Sequence, residues 1–297
     1  MIVVAGGTGR LGRLVVASLL ADGHAVRVLA RGLVPDPGLV EQGAALVTAD
    51  VRDTSSLAAA VAGADAVVSA VQGLAGKGRV TPGAVDRDGN AHLVDAAAAA
   101  GADMVLLSIV GAGHDHPMEL FRMKAAAEDR LTARGLAWTV VRATAFAELH
   151  LELLRGTAGR SGRPLVLGRG QNRINFVSVA DVAAVVCRAA TDTETRGRVV
   201  EVGGPANLTM TELAAVAQRQ LGTQDKRPRH LPRAVLRVVA GAGRVVPSQP
   251  TRLAANALLM DTADLTFDAP SLLPFDIGRP GTDVRTLELD GAAPTSR

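Results

Sequence analysis

The chain has 297 residues, 48% of them hydrophobic and 21% charged, with a formal net charge of +3. It is long enough for one large or two modest domains and too apolar for a disordered protein. A single Cys (Cys187) excludes a disulfide framework and a Cys-based zinc cluster, the lack of any Tyr excludes phenolic acids, bases and nucleophiles, and one Trp with five Phe leaves no platform for stacking bases.

Met1 leads straight into an apolar run with no charged segment ahead of it, so no signal peptide is expected. Residues 2–5, 26–30, 45–48, 66–70, 105–108 and 139–142 are short, β-branched-rich runs that read as strands. Between them, 10–22, 55–61, 91–100 (ended by Gly101) and 118–134 read as helices. Strands separated by helices imply parallel βαβ units, and strands without polar alternation imply a sheet covered on both faces.

The second half is less regular. Residues 156–170 read as a Gly- and Arg-rich loop, 176–179 and 199–202 as strands, and 181–190 as the helix between them. Gly203-Gly204-Pro205 breaks the chain before a helix at 211–221 with Glu212 in its first turn. Pro-punctuated helical pieces follow to about residue 260, and the Pro- and Gly-rich segment from Ala269 is expected to wrap the surface.

The 29 Arg far outnumber the three Lys and are scattered, against the single stripe of a nucleic-acid binder. The densest cluster, Lys226, Arg227, Arg229, Arg233 and Arg237, reads as a solvated helix face or loop, with phosphate or membrane contact as the lesser reading. No stretch of ~18 apolar residues occurs; the best, 234–246, is interrupted by Arg237 and Arg244. A soluble, cytoplasmic protein acting on a small molecule is expected, with neither nucleic acid nor membrane as partner. A homodimer is compatible with the sequence.

Directly after the first strand stands Gly6-Gly7-Thr8-Gly9-Arg10-Leu11-Gly12. Glycines at these spacings permit a tight strand-to-helix turn, let a pyrophosphate approach main-chain N–H groups, and leave a helix N-terminus to receive the anion. Its place between a strand and a helix supports a dinucleotide site over a plain Gly-rich turn. The second strand ends in Arg31, where an acidic residue would grip a ribose 2′-OH and select NAD. A guanidinium there pairs with a 2′-phosphate, with Arg10 in reach of the same group, so NADP(H) is expected in preference to NAD(H); the alternative for Arg31 is an ordinary surface residue. Asp50, after the third strand, either accepts from an adenine amino group or serves a turn, and Val51 packs on the ring. Ala70 and Val71, after the fourth strand, line the ribose and nicotinamide side.

With these residues the chain resembles the short-chain dehydrogenase/reductase superfamily, and more closely its atypical, NmrA-like NAD(P)-binding branch with quinone reductases and isoflavone-type reductases. Further carriers are the Asp50-Val51 pair, 86–90, 108–112, Lys124 with Glu128, Val141-Arg142, 176–183 and 208–213. The likeness is good over 1–222 and loose beyond. It implies a doubly wound parallel Rossmann sheet over 1–150, with 174–203 returning to it. A smaller C-terminal substrate lobe then comprises 151–173 and 204–297, and the substrate cleft lies between the two.

The family's catalytic pattern is Ser with Tyr-x-x-x-Lys. Here Ser108 closes the fifth strand and Lys124 lies on the next helix, but the Tyr position holds Leu120. The resemblance gives Ser108 and Lys124 catalytic and cofactor-binding roles; Lys124 alternatively pairs with Glu128 at i+4. Carbonyl reduction needs a proton donor that Leu120 cannot be. Four readings stay open. His114, or its neighbours Asp115 and His116, donates the proton; this trio also reads as a polar loop, and it offers no chelating face for a metal. Or the acceptor is a quinone or activated alkene protonated by water. Or the protein senses NADP(H) without turnover, or retains the cofactor in redox-neutral chemistry. In the family the segment 143–150 covers the nicotinamide, which places Phe146 near the ring; ordinary core packing is its alternative. The pocket is shaped by 151–173 and 207–260. Cys187, among apolar neighbours, is expected to be inert core.

Overall fold

The computed structural model describes residues 1–32, 37–243, 245–268 and 281–288. The segment from Ala269 expected to wrap the surface falls mostly outside these residues. The chain forms two compact units.

The first unit comprises Met1–Ala143 and Ala180–Val202 among the described residues. It contains β1 (Ile2–Ala5), α1 (Arg10–Ala21), β2 (Val26–Ala30), α2 (Pro37–Glu41), β3 (Ala45–Thr48), α3 (Thr54–Val61) and β4 (Ala66–Ser69). A π-helical stretch (Gly83–Gly89) leads into α4 (Asn90–Ala100), followed by β5 (Asp103–Ile109), α5 (Glu119–Thr132) and β6 (Trp138–Ala143). The seven-stranded sheet runs β10-β6-β5-β4-β1-β2-β3. Every pairing in it is parallel. This is the Rossmann order 3-2-1-4-5-6 with a seventh strand, β10 (Arg198–Val202), added beside β6. Central β1 and β4 are buried throughout and edge strand β3 is not, as covered and uncovered positions require. The core between sheet and helices is built from Val3, Val67, Leu57, Leu93, Leu106 and Leu131 with their neighbours.

The second unit comprises Thr144–Val179 with 203–268 and 281–288. It holds β7 (Ala145–Phe146), α6 (Ala147–Ala158), β8 (Leu165–Leu167), β9 (Arg173–Val177), β11 (Asn207–Thr209), α8 (Met210–Gln220), β12 (Arg229–Leu231), α9 (Arg233–Ala242) and α10 (Gln249–Thr262). The expected loop at 156–170 is a correction: α6 runs to Ala158 because Leu151, Leu154 and Ala158 keep a buried face. Leu165–Leu167 is a strand paired in parallel with β12. The expected strand at 176–179 is Arg173–Val177 instead, since Val179 already opens α7 (Val179–Thr191) and donates its N–H to buried Glu148. Thr209 and Glu212 cap α8 reciprocally, which fixes its start at Met210.

Asn175 ties this unit together. Its amide nitrogen donates toward Gly204 O, Asn207 Oδ1 and Phe267 O, and its Oδ1 accepts from Thr144 Oγ1 and Gly204 N. Asp261 performs a similar service near the end of α10, accepting from Arg233 and from the Arg169 and Gly170 amides.

Candidate dinucleotide site

In a parallel sheet the carboxyl ends of the strands share one edge, and ligands bind where the strand order reverses. Here that point lies between β1 and β4. Gly6, after β1, has φ +85, and a Cβ on it would stand 2.7 Å from the Ala70 carbonyl at the tip of β4. A Cβ on Gly7 would meet Val28 Cγ1 at 2.7 Å, and one on Gly12 would meet the Gly6 carbonyl at 2.1 Å. So Gly6 makes the turn and Gly12 lets α1 pack against it. Gly9 caps α1 without a side-chain bond, and the first turn carries no acidic residue. The N–H groups of Leu11 and Gly12 are therefore left for an anion. Thr8 is exposed and its carbonyl accepts from Arg13 Nε at 3.1 Å. This cradle, which any side chain would fill, fits a dinucleotide pyrophosphate.

Arg31 is exposed just past β2 and Asp50 lies just past the neighbouring β3. Arg52 binds both Asp50 oxygens, with Nε 2.9 Å from Oδ1. That hydrogen bond, partly opposed by burial, holds the Asp50 carboxyl below the usual carboxylate range, and the Arg31 charge acts in the same direction. Val51 is buried against Gly89, where a Cβ would come within 2.6 Å of its Cγ2, and its carbonyl accepts from His92 Nδ1.

Ser108, Leu120 and Lys124 are all buried. Lys124 Nζ lies 2.9 Å from the Leu107 carbonyl, 3.2 Å from the Val71 carbonyl and 3.1 Å from Asp86 Oδ1. An ammonium has three protons, and three acceptors face it. Asp86 is fully buried in the π-helical stretch, and its Oδ2 accepts from Gly73 N at 2.8 Å. Burial pushes the Asp86 carboxyl up, against the pull of Lys124. Glu128 does not pair with Lys124. It accepts from the Ser108 hydroxyl and from Arg142, whose Nη2 is 2.6 Å from Oε2.

His114 is 61% exposed, with Nε2 2.8 Å from Asp129 Oδ2 on α5. His116 stacks on Phe121 at 3.9 Å and accepts from Met118 N, with burial lowering its pKa. Phe146 lies in the second unit, in β7, opposite Val177 of β9. Its carbonyl accepts from His150 Nδ1 at 2.7 Å. The structure thus gathers the glycine turn, Ala70, Val71 and Lys124 at the switch point, and Arg31 with Asp50 at the adjoining strand tips.

Sequence reading passed over Arg52, and it marked Asn90 and Arg142 only as carriers of the family resemblance, without a place in this framework. Buried Asn90 joins Ser69 Oγ of β4 to the Asp86 carbonyl. The local signal for Arg52 was its place two residues beyond Asp50. Among the described residues, no group of three His, Cys, Asp or Glu is placed to hold a metal ion.

A Rossmann sheet with a glycine cradle at its switch point defines the class: a dinucleotide-binding protein of the doubly wound α/β kind. The chain belongs to the NAD(P)H-binding family, whose model matches residues 6–193. It is 33% identical over 75% of its length, and 74% of the relative's, to the (4-alkanoyl-5-oxo-2,5-dihydrofuran-3-yl)methyl phosphate reductase of Streptomyces griseus. It is 28% identical over 90% of its length, and 82% of the relative's, to the photosystem II assembly factor Ycf39 of Synechocystis. An NADPH-dependent quinone oxidoreductase from Escherichia coli, solved with NADPH, shares the fold at TM-score 0.75 and 23% identity, over 96% of this chain and 97% of that one.

Proposed function

We propose that the protein is an NADPH-dependent reductase delivering hydride to a conjugated small molecule, a quinone-type ring or an enone, without a side-chain acid in the family's Tyr position. One observation carries the reading: Leu120 has no proton to give, the Ser108 hydroxyl donates to Glu128, and the three Lys124 protons face Asp86, Val71 and Leu107. An isolated carbonyl would become an alkoxide with no donor among these residues. A conjugated acceptor spreads the charge, and water suffices to protonate it. The dihydrofuran named in the Streptomyces relative and the quinone named in the Escherichia coli structure support such an acceptor.

The amides of Leu11 and Gly12, in the glycine turn of residues 6–12, hold the pyrophosphate at the start of α1. Arg31, with Arg10, takes the 2′-phosphate and selects NADPH. Asp50 and Val51 wall the adenine, and Ala70 and Val71 face the ribose. Lys124 acts as a positioning residue, fixing the Val71 and Leu107 carbonyls at the tips of β4 and β5. When bound, the reduced nicotinamide supplies the hydride.

The test follows NADPH oxidation with a panel of quinones and enones. Steady oxidation is expected, abolished by Gly9→Asp, which puts a carboxylate at the pyrophosphate site. Arg31→Ala should weaken NADPH binding about tenfold and leave NADH binding nearly unchanged; equal losses for both would remove the 2′-phosphate role. His114→Ala should keep turnover if water is the proton source, whereas a loss of kcat would make that imidazole the donor. Tight NADPH binding with no turnover on any acceptor would favour an NADP(H)-sensing role.

A further inference from the structure

Residues 226–260 carry seven Lys or Arg and no Asp or Glu, and residues 153–180 carry five Arg and no acid. The structure packs these two stretches together through the parallel pairing of β8 with β12. Three of their cations are fixed by carbonyls, which leave the charge standing: Lys226 Nζ donates to Ser161 O, Arg163 Nε to Arg227 O, and Arg229 Nη2 to Thr157 O. All three side chains, and that of Arg227, are exposed. Glu152 and Asp225 stand at the ends of the two stretches, and Asp261 is taken by Arg233.

Two residues after β12 the chain enters α9, which is apolar on both sides. Leu236, Val239 and Ala240 pack against Ala254, Ala257 and Leu258 of α10. The opposite side presents Val235, Val238 and Ala242 at i, i+3 and i+7, with Val245 and Val246 beyond its end. Val238 is 74% exposed and Val245 84% exposed. Arg237 is exposed on the same helix. An apolar ridge of this kind on a soluble protein marks a contact surface.

The charge decides what fits it. A second copy would bring like charge against like charge. A nucleic acid would gain nothing from the valines, and no Phe, Tyr or Trp occurs in 226–260 to stack on a base. A bilayer with anionic headgroups uses both features, since valines enter the interface while arginines stay among the phosphates.

We propose that α9 and the basic β8–β12 segment form a peripheral docking surface for anionic phospholipid membranes. The contact is shallow and reversible, because the ridge is short and lacks large side chains.

The test is flotation of the full-chain protein with vesicles of phosphatidylcholine alone or containing phosphatidylglycerol. Binding to the anionic vesicles only is expected, weakening as salt rises. Val238→Asp should lower the partition by about tenfold or more, and Arg237→Gln by about fivefold. Both positions are exposed, and NADPH binding and thermal unfolding of each variant are measured alongside to report the fold. Three results would overturn the proposal: no binding to anionic vesicles at low salt, binding untouched by Val238→Asp, or a dimer in light scattering that Val238→Asp abolishes.

Discussion

At the residue scale, Lys124 is held by Asp86 and the Val71 and Leu107 carbonyls. Its ammonium is buried against the buried Asp86 carboxylate, and removing one partner of such a pair strands the other charge. Lys124→Met should therefore destabilise the protein by about 3–5 kcal/mol in urea unfolding. A larger effect on the KM for NADPH than on unfolding would instead give the ammonium a direct cofactor contact. The lone thiol gives a second expectation. Burial, reinforced by Asp22, pushes Cys187 up to about 11, so hardly any thiolate exists at neutral pH. A thiol reagent should leave it untouched in the native protein and label it fully in denaturant; rapid native labelling would contradict the burial.

At the element scale, the central strands were legible because a strand covered on both faces reads as an apolar run, and β1 and Ala66–Val68 of β4 are such runs. The glycine turn was legible for the same local reason. What escaped depended on partners far along the chain. The π-helical stretch has no 3.6-residue signature, and its Gly89 is required by Val51, 38 residues earlier. β8 is three residues long and exists only because β12 pairs with it. Lys124 and Glu128, one turn apart on α5, fit a helical ion pair by spacing but face different neighbours, Asp86 and Arg142. Gly12→Ala tests the turn itself. The added methyl would overlap the Gly6 carbonyl, so α1 must shift and NADPH binding should fall by a hundredfold or more, on the order of 3 kcal/mol. Unchanged affinity by titration would show that the turn accommodates a side chain.

At the scale of the whole molecule, no helix among the described residues is long and apolar enough to cross a membrane. Each unit is organised around buried polar side chains as well as its apolar core. In the second unit, burial alone would raise the Asp261 carboxyl, but bonds from Arg233 and from the Arg169 and Gly170 amides hold it below the usual range. A depressed carboxyl stabilises the fold above its unfolded value of 3.8, and that contribution is lost as pH falls through the folded value. Asp261→Asn should cost about 2 kcal/mol at neutral pH, with the gap to the parent closing as the medium is acidified below pH 3.8. A gap independent of pH would assign the loss to packing instead of charge.

Asn175 joins four stretches of chain through one amide, and its nitrogen faces three oxygen acceptors. Exchanging that nitrogen for oxygen would set a carboxylate against them. Deamidation makes this exchange without any change of gene, but it needs the backbone to bend onto the side chain, and strand β9 holds it extended. The reaction is open only while the unit is unfolded, and its product cannot rebuild the same contacts. Asp found at this position by mass spectrometry would then date the molecule: a record of time spent unfolded, written by a lesion that bars the way back.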